Sequence, residues 1–215
     1  MRNKAFTLAE VLITLGIIGV IAALTMPGLM HTAARAKIGP ELSSAMATLS
    51  EATTEFMNNN NADYLPVAMA KAGMADQKCS TFLKYLLDEE YIRGNEKTFP
   101  TASKAYSGGA GGLAGGNGIF LPNKSGISIK SGDCALATVD TECELIFFTS
   151  SYQKAEDKAK LTTGKDVFKI LLTAKGEVKT PENWEVTCGD GIKEASLSGE
   201  DCSGRIAAKG WKADY

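Results

Sequence analysis

Phe6-Thr7-Leu8-Ala9-Glu10, followed by the run Val11 to Met30, decides how this chain is read. The run holds twenty residues and no formal charge. Arg2 and Lys4 precede it, and one carboxylate, Glu10, stands at its entrance. A bilayer core is roughly 30 Å thick, and about 20 apolar residues in a helix cross it. Ala, Leu, Ile and Val dominate the run, so its surface suits lipid or a packed helix bundle. Cations on the N-terminal flank keep that end cytoplasmic and send the rest of the chain out. Arg35 and Lys37, beyond the far end, weaken this bias without reversing it.

A cleaved secretory signal fits poorly. Its apolar region is about 7–15 residues, and a small-x-small site follows it. Here the run is longer, Glu10 lies where that region should begin, and Ala34-Arg35-Ala36 is a poor imitation of the site. A plain anchor explains the length but gives no reason for Glu10. An ionisable group at a membrane-helix centre costs about 2.5–3.5 kcal/mol, and less near the end. Such a residue needs a partner.

These residues resemble the N-terminus of the type IV pilin and type II secretion pseudopilin superfamily, with its prepilin-type cleavage and methylation motif. The family pattern is a short basic leader, a cleavage point, Phe-Thr-Leu-x-Glu and a long apolar helix. The resemblance implies cleavage between Ala5 and Phe6 by a prepilin peptidase, then N-methylation of Phe6. It implies that Glu10 meets the free amine of a neighbouring subunit during assembly. Ala5 departs from the family, which usually has Gly before the cleaved bond. Pro27 stands where family members commonly carry a proline, and Gly16 and Gly19 are small residues that permit close helix approach.

The fold class expected is α+β: a long N-terminal helix carrying a small antiparallel-sheet head. The boundaries are a leader at 1–5, a transmembrane and assembly helix at 6–30, its outer half at 31–61 and a head at 62–215. Roughly 150 residues suffice for one domain with its own core. In the outer half, Ala34, Ile38, Leu42, Ala45, Met46, Leu49 and Phe56 recur at three- and four-residue steps and form one stripe. Pro27 and Gly39-Pro40 are predicted kinks, and Gly39-Pro40 could break the helix outright, because proline removes a backbone donor and crowds the preceding turn.

Beyond the spine, residues 62–77 read as irregular. A short helix is predicted over Ser80–Glu90, with Phe82, Leu83, Leu86 and Leu87 on its apolar face. Strands are predicted at Ile119–Leu121, Ile127–Lys130, Cys143–Thr149 and Gly164–Leu172, the last joined by the turn Ala174-Lys175-Gly176 to a return at Val178. Gly164-Lys165-Asp166-Val167-Phe168 and Gly176-Glu177-Val178, with Pro181 after them, also resemble the end of pilin-like heads. Ser107–Gly118 holds seven glycines and reads as a flexible loop.

The five cysteines, Cys79, Cys134, Cys143, Cys188 and Cys202, all follow the membrane run. Disulfides form in an oxidising compartment. Two local bridges suit the spacing, Cys134–Cys143 and Cys188–Cys202, with Cys79 left over; the other pairings, and buried reduced thiols, stay open.

Several function classes find no support. Lys and Arg number 23 against 25 Asp and Glu, for a net charge of −2, so no broadly basic nucleic-acid surface is expected. The single histidine, His31, lies at the membrane boundary, and no C-x-x-C exists, so neither a metal site nor a cofactor is predicted. Gly118–Ser125 imitates a phosphate loop but has Asn123 where the second glycine is required. No nucleophile, base and orienting group assemble, so no enzyme is predicted. The function expected is that of a structural subunit of a type IV pilus or type II secretion pseudopilus. Its partners are other such subunits, the prepilin peptidase and the membrane. Its place is the bacterial cytoplasmic membrane, crossed once, with the head periplasmic or extracellular, and then the filament. The alternative is a membrane-anchored extracytoplasmic binding or adhesion module that does not polymerise.

Overall fold

The structure is a computed structural model describing residues 7–102, 104–105, 113, 115–130, 135–136, 138, 140–154, 161–189 and 198–213, with backbone alone at 27–34, 104–105 and 153–154. The chain divides into two compact units, Met1–Lys37 and Ile38–Tyr215. Helix α1 is a single element, Leu8–Asn59. Its residues from Ile38 onward belong to the second unit, the head.

Within the head, α1 presents its apolar stripe to the core. Leu42, Leu49 and Phe56 are fully buried, seven residues apart, which is close to two helical turns. Ala45, Met46 and Ala52 fill the positions between them, and Ile38 extends the stripe one turn earlier. The Phe56 ring meets Phe82 at 5.2 Å and Tyr91 edge-on at 5.9 Å between centroids. Phe82 belongs to α3 (Cys79–Asp88), whose Leu83 and Leu86 are also buried. Helix α2 (Leu65–Lys71) occupies part of the stretch expected to be irregular. Pro66 sits in its first turn, where a missing N–H costs nothing, so the proline starts this helix rather than preventing it.

The strands are β1 (Asn95–Thr98), β2 (Lys104–Ala105), β3 (Asn117–Phe120), β4 (Gly126–Ile129), β5 (Glu142–Phe148), β6 (Thr162–Thr163), β7 (Val167–Thr173) and β8 (Val178–Lys179). They form one sheet in the order β1-β3-β4-β5-β7-β6-β2, with β8 also on β7. Its body is antiparallel, but β6 pairs in parallel with both β7 and β2, so the sheet is mixed. The head is α+β. Asn123-Lys124-Ser125, the false phosphate loop, is the β3–β4 turn, closed by the Leu121 N–H donating to the Ser125 carbonyl at 2.9 Å.

Alternation along β5 and β7 gives the sheet two apolar faces. Leu145, Phe147, Phe168 and Ile170 point to the helices. Ile146, Phe148 and Val167 point the other way, into a smaller core with Phe99, Tyr152 and Leu161. The G-x-D-x-F stretch now has a physical account. Gly164 takes a left-handed φ of +85° in the turn before β7. The Asp166 carboxylate accepts from the Thr162 N–H at 3.2 Å and the Ser151 hydroxyl at 2.8 Å. Phe168 enters the main core.

Two short helices, α4 (Trp184–Thr187) and α5 (Cys202–Ala208), complete the head. Cys188 and Cys202 are joined there. Cys143 meets Cys79, 64 residues earlier in the chain, where α3 packs on β5. The cause of this approach is packing: α3 lies on the sheet face to which Cys143 points. Cys134 lies outside the described residues.

The break considered at Gly39-Pro40 is not present, because α1 runs on through these residues and through Pro27. Gly39 has another reason to be glycine. A Cβ there would collide with the backbone carbonyl of Trp211, whose Cα lies 3.3 Å from that position.

Candidate functional site: the start of α1

Thr7 precedes the first helical residue, and Glu10 is the third residue of α1. The Thr7 backbone N–H donates to Glu10 Oε2 at 2.9 Å, and the Thr7 hydroxyl donates to the same oxygen at 2.8 Å. In return the Glu10 N–H donates to Thr7 Oγ1 at 3.3 Å. This reciprocal pair is a capping box, which satisfies donors that every helix N-terminus leaves without intrahelical partners. The sequence points to an intermolecular partner for Glu10, the amine of a neighbouring subunit, and the structure adds a local one. The pattern Thr-x-x-Glu ahead of an apolar run was the signal for its local one. Ala5 and Phe6, the residues of the expected cleavage, lie outside the described residues.

Leu8–Met26 is the span long and apolar enough to cross a membrane by length and composition. Its side chains are exposed all round, from Leu8 at 81% to Leu24 at 77%. A helix apolar on every side is stable in lipid or inside a bundle, not in water. The polar side chains within it are turned inward to the backbone. Thr14 donates its hydroxyl to the Glu10 carbonyl at 2.9 Å, and Thr25 donates to the Ile21 carbonyl at 3.0 Å. That leaves no side-chain hydroxyl of these two needing water. A Cβ added at Gly16 or Gly19 would meet nothing within 4 Å, so both leave room for another helix.

The head carries a separate polar feature. Glu144 pairs with Lys130 at 2.5 Å and with Lys169 at 3.5 Å, and Lys169 pairs with Asp201 at 2.6 Å. Asp201 also accepts from the Thr187 hydroxyl at 2.8 Å. Of these charges, Glu144, Lys169 and Asp201 line an open cavity of about 580 Å³. Burial pulls the Glu144 carboxyl up, but the Lys130 hydrogen bond and the Lys169 and Lys130 charges outweigh it and hold its pKa below the usual range. Burial likewise pulls Lys169 down, and its hydrogen bond and attraction to Asp201, with Glu144 and Glu200 beyond, bring its pKa above the usual value. Each charge in this chain has an opposite partner, so the network fastens the tail to β7 and advertises no vacant ligand position.

Among the described residues, one helix is long and apolar enough to cross a membrane; it starts at a self-capped carboxylate and is followed by an α+β head. Residues 1–26 match the family described as the prokaryotic N-terminal methylation motif, the prepilin motif of type IV pilin-like proteins. The family that carries this motif is structural rather than enzymatic, and the motif implies processing by a prepilin peptidase and association with other pilin subunits. The apolar helix and the motif together fit a pilin anchored in the inner membrane. No curated protein and no solved structure gives a significant match to the chain.

Proposed function

We propose that the chain is the precursor of a structural subunit of a type IV pilus or a type II secretion pseudopilus. A prepilin peptidase hydrolyses the Ala5–Phe6 bond on the cytoplasmic side, and the new Phe6 amine is methylated. The helix crosses the membrane once, with the head periplasmic or extracellular. Glu10 then meets the Phe6 amine of a neighbouring subunit, and the apolar helices pack into the filament core.

The observation that supports this reading most is a single juxtaposition. The prepilin motif leads into a span, Leu8–Met26, whose apolar surface is exposed all round and whose one carboxylate sits in its first turn. An anchor alone has a use for the apolar surface but none for the acid. Mass spectrometry of the N-terminus of the protein recovered from membranes tests the reading. A chain beginning at N-methylated Phe6 is the expected result. A chain retaining Met1 overturns it and favours an anchored extracytoplasmic module that does not polymerise.

A further inference from the structure

The last described segment of the head bears on the first. Ile38 and Gly39, which open the second unit, are buried although they stand at its boundary. Trp211 is one of the residues packed over this part of the core. Its backbone carbonyl lies so close to Gly39 that no Cβ fits between them. Trp211 holds a left-handed φ of +62°, a conformation uncommon for a residue with a side chain and a mark of imposed backbone strain. Gly210, with φ of +67°, makes the turn before it, and the Trp211 N–H donates back to the Ile206 carbonyl at 2.8 Å.

At its other end this segment is fastened. Cys202 begins α5 and is joined to Cys188. Asp201 pairs with Lys169 at 2.6 Å, and the Lys169 N–H donates to the Glu200 carbonyl at 3.2 Å. The Ser203 hydroxyl donates to the Lys169 carbonyl. So α5 is bolted to β7 by its first turn, and its far end presses Trp211 onto Gly39.

We propose that residues 202–213 are a disulfide-latched clasp on the first turn of α1 within the head. The clasp closes when Cys188 and Cys202 are oxidised. Two thiols lose two protons and two electrons and form one S–S bond; a disulfide-bearing donor takes them and becomes a dithiol. This timing rests on the proposed placement of the head outside the cytoplasm, where such donors persist. Before export the tail is unlatched, and the start of the head is loosely held. After export the latch fixes it, which makes a well-held α1 a sign of a translocated, oxidised head.

Hydrogen exchange on the purified, oxidised full-length protein in detergent micelles tests the clasp. In Cys188→Ser/Cys202→Ser, the amides of residues 38, 39, 41 and 42 and of 206–211 should exchange at least about tenfold faster, while β5 and β7 keep their protection. Gly39→Val, with the disulfide intact, should give the same pattern, because the side chain displaces Trp211 directly. Unchanged exchange at 38–42 in both variants overturns the clasp, and so does a rise spread evenly over β5 and β7. Thiol alkylation after acid quenching and denaturation of cells, which exposes these otherwise buried sulfurs, tests the timing separately. Protection of Cys188 and Cys202 from alkylation supports it. Labelling of both thiols would overturn the exported head and the latching step, while leaving the exchange result on the oxidised protein as it stands.

Discussion

The carboxylate of Glu41 holds the backbone and the side chain of Ser150 at once. Oε2 accepts the Ser150 N–H at 2.8 Å, and Oε1 accepts the Ser150 hydroxyl at 2.5 Å, across 109 residues of sequence. Ser150 opens a short 3-10 turn directly after β5, so Glu41 caps that turn as it would cap a helix. This pins α1 to the end of the sheet. Hydrogen bonds to a charged acceptor are stronger than neutral ones. Glu41→Ala should lower head stability by about 1–3 kcal/mol. Urea unfolding followed by the fluorescence of Trp184 and Trp211 reads it, and an unchanged midpoint and slope would remove the contact from the account.

Phe56 is the residue on which α1, α3 and the loop after α3 converge. It is fully buried and touches Phe82, Tyr85 and Tyr91 through ring contacts. Truncation leaves a cavity that three aromatic rings cannot easily close. Phe56→Ala should therefore cost about 3–5 kcal/mol, near the upper end for core truncations. Glu55→Ala, one residue away on the exposed side of the helix, should stay within about 0.5 kcal/mol. The same unfolding measurement compares them, and equal effects would contradict the burial assignment.

Acid should weaken the head through Glu144. Its folded pKa lies below the ordinary 4.5, so the stabilisation is present above 4.5 and is lost as pH falls through the lower folded value. Lys169 has the opposite sign. Its folded pKa lies above 10.5, so its contribution is present below 10.5 and is lost as pH rises through that higher value. Between these limits the network should give a flat stability profile. Partial exposure of Glu144 screens the effect and keeps it modest. Glu144→Gln should flatten the acid limb of a thermal-melt series from pH 6 downward. An acid limb identical to that of the unsubstituted protein would assign it to other carboxylates.

The spine was legible in the sequence because its signal is local. An uncharged run marks the membrane segment, and three- and four-residue steps mark the stripe from Ile38 to Phe56 that the structure buries. Strands β3, β4, β5 and β7 were legible for the same reason, through alternation and turn residues. What could not be read depends on distant partners. The parallel fringe β6-β2 is too short to carry a pattern. The meeting of Cys79 and Cys143 joins a helix to a strand 64 residues on, which spacing in the sequence does not signal. Gly39 looked like a helix breaker because glycine followed by proline usually is one; it is a contact surface for Trp211. At the candidate site, Glu10 stood out as an acid beside an apolar run. Thr7 did not, since a threonine there is unremarkable until the capping box is considered.

The capping box separates two roles of Glu10 that one deletion would confuse. Glu10→Ala removes both the cap and the charge. Glu10→Gln keeps an acceptor oxygen for the Thr7 N–H and hydroxyl, which now meet it at 2.9 and 2.8 Å, but it cannot form an ion pair with an amine. Thr7→Val does the reverse, leaving the carboxylate while removing the hydroxyl from the cap. If assembly depends on the charge of Glu10, Glu10→Gln should reduce subunits in sheared filaments by more than about tenfold, with its helix start intact. Thr7→Val should loosen the first turn, seen as faster amide exchange at residues 8–11 in micelles, yet leave incorporation close to normal. A carboxylate released from Thr7 is free to meet an amine on a neighbour, so the cap and the intermolecular pair compete for one group. The opposite ranking, with Thr7→Val excluded from filaments and Glu10→Gln incorporated, would make the cap itself the assembly determinant and the charge incidental.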